Sequence, residues 1–96
     1  MSISAKLDVL PRTPLAHTPT PIEKLNNLSA VLGGGALYVK RDDCTGLAMG
    51  GNKARQLEYY FGEALQQNAD TVLITGAVQS NFVRMAAAAA AKLDLD

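Results

Sequence analysis

The chain has few of the residues that most metal, disulfide and nucleic-acid sites require. Its 96 residues include one cysteine, one histidine, no tryptophan and 5% aromatic residues, and nine basic side chains balance nine acidic ones. A single cysteine excludes an internal disulfide and is typical of a reducing compartment. A neutral chain with few aromatics lacks the basic, base-stacking surface of nucleic-acid-binding proteins. His17 and Cys44 stand at unrelated spacing, so we expect no metal site.

The chain also lacks a long hydrophobic run. Its longest apolar run, residues 85–91, is far shorter than the about 20 residues that a membrane-spanning helix needs. Lys6 and Asp8 interrupt the first ten residues, which therefore have no apolar core of a secretion signal. We expect a cytoplasmic protein without membrane or nucleic-acid partners. The hydrophobic residues that are present, 48% of the chain, suit one small packed α/β body.

The N-terminal half predicts an extended segment, a helix and a strand. Three prolines within residues 1–19 disfavour helix, so this segment is predicted to be extended. Residues 20–23 (TPIE) have the threonine, proline and glutamate of a capping box and predict the start of a helix. Glycines at 33–35 predict its end. Residues 36–40 then predict a short strand, and the aperiodic, glycine-containing residues 44–51 predict a loop.

The C-terminal half predicts two helices separated by a strand. Apolar residues at helical spacing predict a helix from about Lys53 to Gln67. Residues 71–75 are almost wholly apolar and β-branched, which is typical of a strand buried on both faces of a parallel sheet. Ser80 is a good N-cap for a final helix that runs through six alanines to Leu93.

The order helix–strand–helix–strand–helix predicts the α/β class with an open parallel sheet. Two strands are too few for a stable sheet, so we expect residues 1–96 to be the N-terminal fragment of a longer enzyme. In open α/β sheets, ligands bind beyond the carboxyl ends of the strands. The loops 41–53 and 76–82 each follow a strand and are predicted to meet at one edge of the sheet.

Lys53 lies in an unusual place within the first of these loops. It follows two glycines and an asparagine at a predicted helix start, where the positive field of the helix disfavours a cation. The same field favours the neutral amine, which is the form that makes Schiff bases. The alternative is an ordinary solvated lysine at a loop–helix junction. A P-loop is excluded, because Asn52 separates the glycine from the lysine and no serine or threonine follows.

The second loop ends in Ser80 and Asn81 at the start of the last predicted helix. Free N–H groups of a helix N-terminus and two short polar side chains suit an anion such as a substrate carboxylate. The alternative is that Ser80 and Asn81 are simple capping residues.

Two motifs resemble those of the D-cysteine desulfhydrase and 1-aminocyclopropane-1-carboxylate deaminase family. They are KRDDCTGLAMGGNK at residues 40–53 and GAVQSN at residues 76–81, in the family's order and at plausible spacing. The resemblance covers essentially the whole chain. It implies a three-layer αβα fold like that of the tryptophan synthase β subunit and pyridoxal 5'-phosphate as the cofactor.

The resemblance also implies roles for four residues. Lys53 matches the lysine that holds pyridoxal phosphate covalently, and Ser80 matches a catalytic serine near the substrate. Asn81 matches the asparagine that hydrogen-bonds the cofactor's 3'-oxygen, and the turn at residues 80–82 matches the one that receives the substrate carboxylate. Phe82 stands where relatives usually have a histidine or glutamine, so the choice of substrate stays open.

The implied function is that of a lyase that converts D-cysteine to pyruvate, sulfide and ammonia by β-elimination. One alternative is a 1-aminocyclopropane-1-carboxylate deaminase, which gives 2-oxobutanoate and ammonia. A further alternative is an inactive fragment or a non-catalytic α/β binding module. The family implies a homodimeric full-length protein, a small amino acid as substrate, and residues 1–96 as the N-terminal part of one catalytic region. Because the later parts of the family's site are absent, we expect these residues alone to be inactive.

Overall fold

The computed structural model describes all residues from Met1 to Asp96 and contains four helices and two short strands. In chain order these are α1 (Ile3–Asp8), β1 (Ile22–Lys24), α2 (Asn26–Leu32), β2 (Tyr38–Lys40), α3 (Ala54–Gln66) and α4 (Asn81–Lys92). Two single turns of 3-10 helix, Asp42–Cys44 and Leu47–Met49, lie in the loop between β2 and α3. None of the helices combines the length and the apolar composition needed to cross a lipid bilayer.

The N-terminal segment begins with a helix, so the prediction of an extended chain over residues 1–19 is wrong for its first part. Ser2 caps α1, because its hydroxyl oxygen accepts a hydrogen bond from the N–H of Ala5 at 3.2 Å. The three prolines all follow α1 and restrict only the residues near them. Residues 11–19 contain no helix or strand, as predicted.

The predicted helix start at Thr20 is also wrong, because the chain forms β1 there and α2 begins only afterwards. The hydroxyl of Thr20 is engaged at long range, since it donates to Asp42 at 2.7 Å and accepts from Arg55 at 3.2 Å. It therefore caps no helix. The predicted helix end is confirmed, because Gly33 terminates α2 in the left-handed conformation with φ 62°.

The sheet within the chain is antiparallel, which corrects the predicted pairing. β2 confirms the predicted strand, but it pairs with β1 in the register Ile22↔Lys40, Glu23↔Val39 and Lys24↔Tyr38. Flanking backbone bonds extend the ladder at both ends, at 2.8 Å and 2.9 Å. The physical reason is that α2 and its terminal glycines return the chain alongside β1 in the opposite direction.

The helices α3 and α4 confirm the predictions to within one residue at each end and pack against each other. They supply most of the core, which consists of Leu15, Ala54, Leu57, Phe61, Met85, Ala86 and Ala89. Of the large apolar side chains of α3, Leu57 and Phe61 are buried, whereas Tyr60 and Leu65 are exposed. The two buried alanines of α4 have short side chains, which permit its close approach to α3.

Residues 71–75 form no strand, contrary to the prediction of a strand buried on both faces. Val72 and Ile74 pack against the core, whereas Leu73 between them is 93% exposed, so the segment keeps the two-residue period of a strand. A ladder requires neighbouring strands, and the chain's two strands pair only with each other. The segment therefore presents one apolar side to the core and the other to solvent.

Candidate functional site

A tightly fixed loop leads to Lys53. Thr45 is fully buried, and its hydroxyl donates to the carbonyl oxygen of Gly51 at 2.7 Å and accepts from the N–H of Gly51 at 2.8 Å. Gly50 and Gly51 have positive φ values of 84° and 151°. A Cβ on Gly50 would overlap the carbonyl oxygen of Asp43. Because only glycine fits this conformation, the placement of Lys53 depends on Thr45 and the two glycines.

Lys53 lies at the N-cap position of α3, as predicted, and is half-buried. It makes no side-chain capping bond. All four ion pairs of the chain use arginine as the cation, so the Lys53 amine has no carboxylate partner. An amine without an ion pair is available for reaction with a ligand.

Ser80 caps α4, because its hydroxyl oxygen accepts the N–H of Val83 at 3.2 Å. This confirms the predicted N-cap. The N–H groups of Asn81 and Phe82 donate no hydrogen bond within the chain. Two backbone donors at the positive end of a 12-residue helix are thus free for an anion.

The two predicted loops lie against each other. The side-chain amide of Asn81 donates to the side-chain oxygen of Asn52, the residue before Lys53, at 3.2 Å. Met85 contacts the same loop, since a Cβ on Gly51 would lie 2.8 Å from its sulfur. The structure therefore brings the backbone at Lys53 close to the Ser80–Asn81 turn, as predicted. The chemical roles of these residues stay predictions.

Arg84 connects this loop to α4 by hydrogen bonds, a role that the sequence analysis did not identify. Its guanidinium donates to the carbonyl oxygen of Ala48 and, at 3.2 Å, to that of Gly50. A signal was available, because Arg84 follows Asn81 by three residues and so lies on the same face of α4. Arg84 and Asn81 together tie the loop to the helix that carries Ser80.

Phe82 is half-buried and packs edge-to-face against Tyr60, with ring centroids 6.4 Å apart and an interplanar angle of 88°. The aromatic ring is therefore used in packing. The free backbone N–H is the polar group that Phe82 can offer to a ligand.

A charged network fixes the other end of the loop. Arg55 donates to both carboxylate oxygens of Asp42, at 2.6 Å and 3.0 Å. The hydrogen bonds from Arg55 and then from Thr20 lower the pKa of Asp42 to about 2. Asp42 therefore stays ionised at neutral pH and ties the start of the loop to the first turn of α3. The sequence places these charges before and after the loop but does not show that they pair.

Comparison with known proteins places this geometry in a family. The sequence profile of the pyridoxal-phosphate dependent enzymes matches residues 13–96. The chain belongs to this family. Over 95 residues it is 53% identical to a D-cysteine desulfhydrase of Serratia proteamaculans (strain 568), with 99% of this chain and 28% of the relative covered. Over 92 residues it is 53% identical to a 1-aminocyclopropane-1-carboxylate deaminase of Bradyrhizobium sp. (strain BTAi1 / ATCC BAA-1182), with 94% and 27% covered.

A solved structure shows the same fold. The crystal structure of an ACC deaminase homologue matches 96% of this chain and 28% of its own chain, with a TM-score of 0.89 and 49% identity. The predicted family, α/β fold class and pyridoxal-phosphate dependence are confirmed. The antiparallel pair β1–β2 is one part of that fold. The chain spans about 28% of the length of the relatives that it matches.

The residues near Lys53 fit the aldehyde end of pyridoxal phosphate. A primary amine without an ion pair is the group that condenses with an aldehyde. Asn81 supplies a neutral amide beside the same loop, and it uses one donor on Asn52 while its oxygen makes no hydrogen bond. This donor set suits the aldehyde and its neighbouring hydroxyl.

Proposed function

We propose that the full-length protein is a pyridoxal-phosphate-dependent lyase that converts D-cysteine to pyruvate, sulfide and ammonia. The observation that carries the proposal is the contact between the loop of Lys53 and the start of α4, made through Asn52 and Asn81 at 3.2 Å. It brings the backbone at Lys53 close to the start of α4, which carries two free N–H groups. The likeness to a D-cysteine desulfhydrase, 53% identical, supports this reaction.

In this proposal, Lys53 and Asn81 would hold the cofactor, Lys53 covalently through Nζ and Asn81 by a hydrogen bond to the 3'-oxygen. When bound, pyridoxal phosphate supplies an electron sink for the carbanion at the substrate's α-carbon. The amine of Lys53, or the hydroxyl of Ser80 activated by it, accepts the proton from that carbon.

The start of α4 binds the substrate carboxylate in this proposal. The N–H groups of Asn81 and Phe82 point to no partner in the chain, and the helix field favours an anion there. Ser80 accepts the N–H of Val83, so the hydroxyl hydrogen of Ser80 is free to donate. The carboxylate therefore fixes the α-carbon beside Ser80.

The test is to offer D-cysteine and 1-aminocyclopropane-1-carboxylate in parallel to the full-length protein with its cofactor. We expect sulfide and pyruvate from D-cysteine, and we expect Lys53→Ala to abolish both products. Lys92→Ala, at the exposed end of α4, is the matched control and keeps wild-type turnover. Product formation by Lys53→Ala at the wild-type rate contradicts the proposal.

The second candidate is 1-aminocyclopropane-1-carboxylate deamination. It is supported by the 53% identity to the Bradyrhizobium deaminase and by the TM-score of 0.89 to the ACC deaminase homologue. Formation of 2-oxobutanoate instead of sulfide selects this function. Lys53, Ser80 and Asn81 keep the same roles, because both reactions begin at the α-carbon of a small amino acid.

We further propose that residues 1–96 form the N-terminal part of one catalytic region in a cytoplasmic homodimer. The substrate is the partner that the site suits, and the net charge of zero gives no overall basic excess for nucleic acid. Light scattering of the full-length protein measures the oligomeric state, and a monomer at micromolar concentration contradicts the dimer.

A further inference from the structure

A second, polar cleft lies near the start of α3, away from Lys53. Its volume is about 590 Å³, and its lining residues are Arg12, Thr18, Pro19, Lys40, Asp42 and Arg55. Arg55 follows Lys53 by two residues, so the two side chains leave the helix start about 200° apart. The cleft is therefore separate from the proposed catalytic site.

Each of the two arginines of the cleft is fixed by a carboxylate on one side of its guanidinium group and has unused hydrogen-bond donors on the other nitrogen. Arg12 donates through Nε and Nη2 to the buried carboxylate of Glu58, at 3.0 Å and 2.6 Å. Arg55 donates through the same two nitrogens to Asp42. In both guanidinium groups Nη1 donates no hydrogen bond within the chain. Each arginine is thus pre-oriented, and the two N–H bonds of its Nη1 are free.

Lys40 adds a third cation from β2. Its amine donates to the carbonyl oxygen of Thr20 at 2.6 Å, which leaves two of its three hydrogens free. It also stabilises the charged form of Asp42 through space. The three cations come from three separate elements, the N-terminal segment, β2 and α3.

The local charge is concentrated. Three of the nine lysine and arginine side chains line one cleft, although the chain as a whole is neutral. The positive charges of Arg12 and Arg55 repel each other. Asp42 is the only carboxylate on the lining, and Arg55 already uses both of its oxygens. An anion between the three cations relieves their mutual repulsion.

We propose that this cleft binds a tetrahedral oxyanion of the phosphate or sulfate class, free or as the end group of a small metabolite. Donors that approach from three elements match the several oxygens of a tetrahedral anion better than the two coplanar oxygens of a carboxylate. The proposal does not depend on the reaction at Lys53. Its failure and the failure of the proposed function are therefore distinguishable.

The test is a calorimetric titration of inorganic phosphate into the full-length protein saturated with pyridoxal phosphate, so that the cofactor's own phosphate site is filled. We expect saturable binding in the millimolar range. Lys40→Gln should weaken it about tenfold, since one charged donor is lost. Lys24→Gln, an equal change of charge on the neighbouring strand β1, should leave the affinity unchanged. Lys40 bonds only one carbonyl oxygen, so the variant keeps the packing of the core.

Three competition arms identify the source of the anion. Sulfate should displace phosphate, and acetate at equal ionic strength should not. Glycerol phosphate that binds more tightly than inorganic phosphate identifies a metabolite end group, whereas equal affinity identifies the free ion. The proposal is overturned by absent saturation, by acetate displacing phosphate as well as sulfate does, or by equal losses in the two lysine variants.

Discussion

Glu58 is a buried carboxylate whose removal should detach the N-terminal segment from α3. Its side chain is 3% exposed. One oxygen accepts the N–H groups of Leu15 and Ala16, at 2.7 Å and 3.1 Å, and the other accepts two bonds from Arg12. Glu58→Gln replaces one acceptor oxygen by an NH₂ group. Two of these N–H groups then lose their acceptor and face another donor.

The expected loss of stability follows from these contacts. A buried donor left without a partner costs about 1–3 kcal/mol, so we expect Glu58→Gln, which leaves two, to lower the free energy of unfolding by about 2–6 kcal/mol. Urea unfolding of the full-length protein measures this change, and hydrogen exchange at Leu15 and Ala16 locates it. Glu63→Gln is the control, because Glu63 is exposed on the same helix and bonds only Gln67.

The same carboxylate should make the stability of the folded protein depend on pH. Burial alone would raise the pKa of Glu58, but the hydrogen bonds from Leu15, Arg12 and Ala16 outweigh it and hold the pKa below its ordinary value of 4.5. A lowered pKa in the folded state means that this stabilisation is present above pH 4.5 and is lost as the pH falls through the folded-state pKa. Glu58→Gln should flatten that part of the pH profile. Equal losses in Glu58→Gln and Glu63→Gln, or unchanged exchange at Leu15, refute the reasoning.

Two further predictions concern the loop before Lys53, and a third concerns residues 1–96 alone. Arg84→Gln removes the donors to Ala48 and Gly50, so it should speed hydrogen exchange in the loop and lower kcat about 10- to 100-fold. Lys92→Gln is the control, and unchanged hydrogen exchange in Arg84→Gln contradicts the prediction. Gly50→Ala should destabilise the protein by more than about 2 kcal/mol, because the new Cβ would overlap backbone atoms of Asp43. Gly34→Ala is the control, since a Cβ there has open space. Equal thermal unfolding temperatures of the two variants contradict the prediction. The 96 residues alone, titrated with pyridoxal phosphate, should show no strong absorbance at about 410–430 nm, and a band that borohydride traps on Lys53 contradicts this.

The elements that could be predicted from the sequence are those with local determinants. The period of α3, the serine cap of α4 and the glycine end of α2 all lie within a few residues of the structure they specify. β1 could not be predicted, because the hydroxyl of Thr20 prefers Asp42 and Arg55 to a local cap. Those partners lie 22 and 35 residues away. Long-range hydrogen bonds of this kind override a capping box.

In the candidate site, too, only part of the geometry could be predicted from the sequence. The proximity of Lys53 to Ser80 and Asn81 was predicted from two strands of one parallel sheet, yet β2 and residues 71–75 do not pair. Within this chain, the contacts come from Asn81, Arg84 and the buried Thr45, which fix the glycine loop against α4. The rule on strand ends predicted the position, whereas the side chains that hold it emerge only from the packed structure.

The central claim is that the amine of Lys53 reacts with the aldehyde of pyridoxal phosphate. Borohydride reduction of the full-length protein with its cofactor, followed by peptide mass mapping, tests it most directly. The account predicts the phosphopyridoxyl mass on the peptide that contains Lys53 and on no other lysine peptide. A label on Lys40 or another lysine, with Lys53 unmodified, would contradict it.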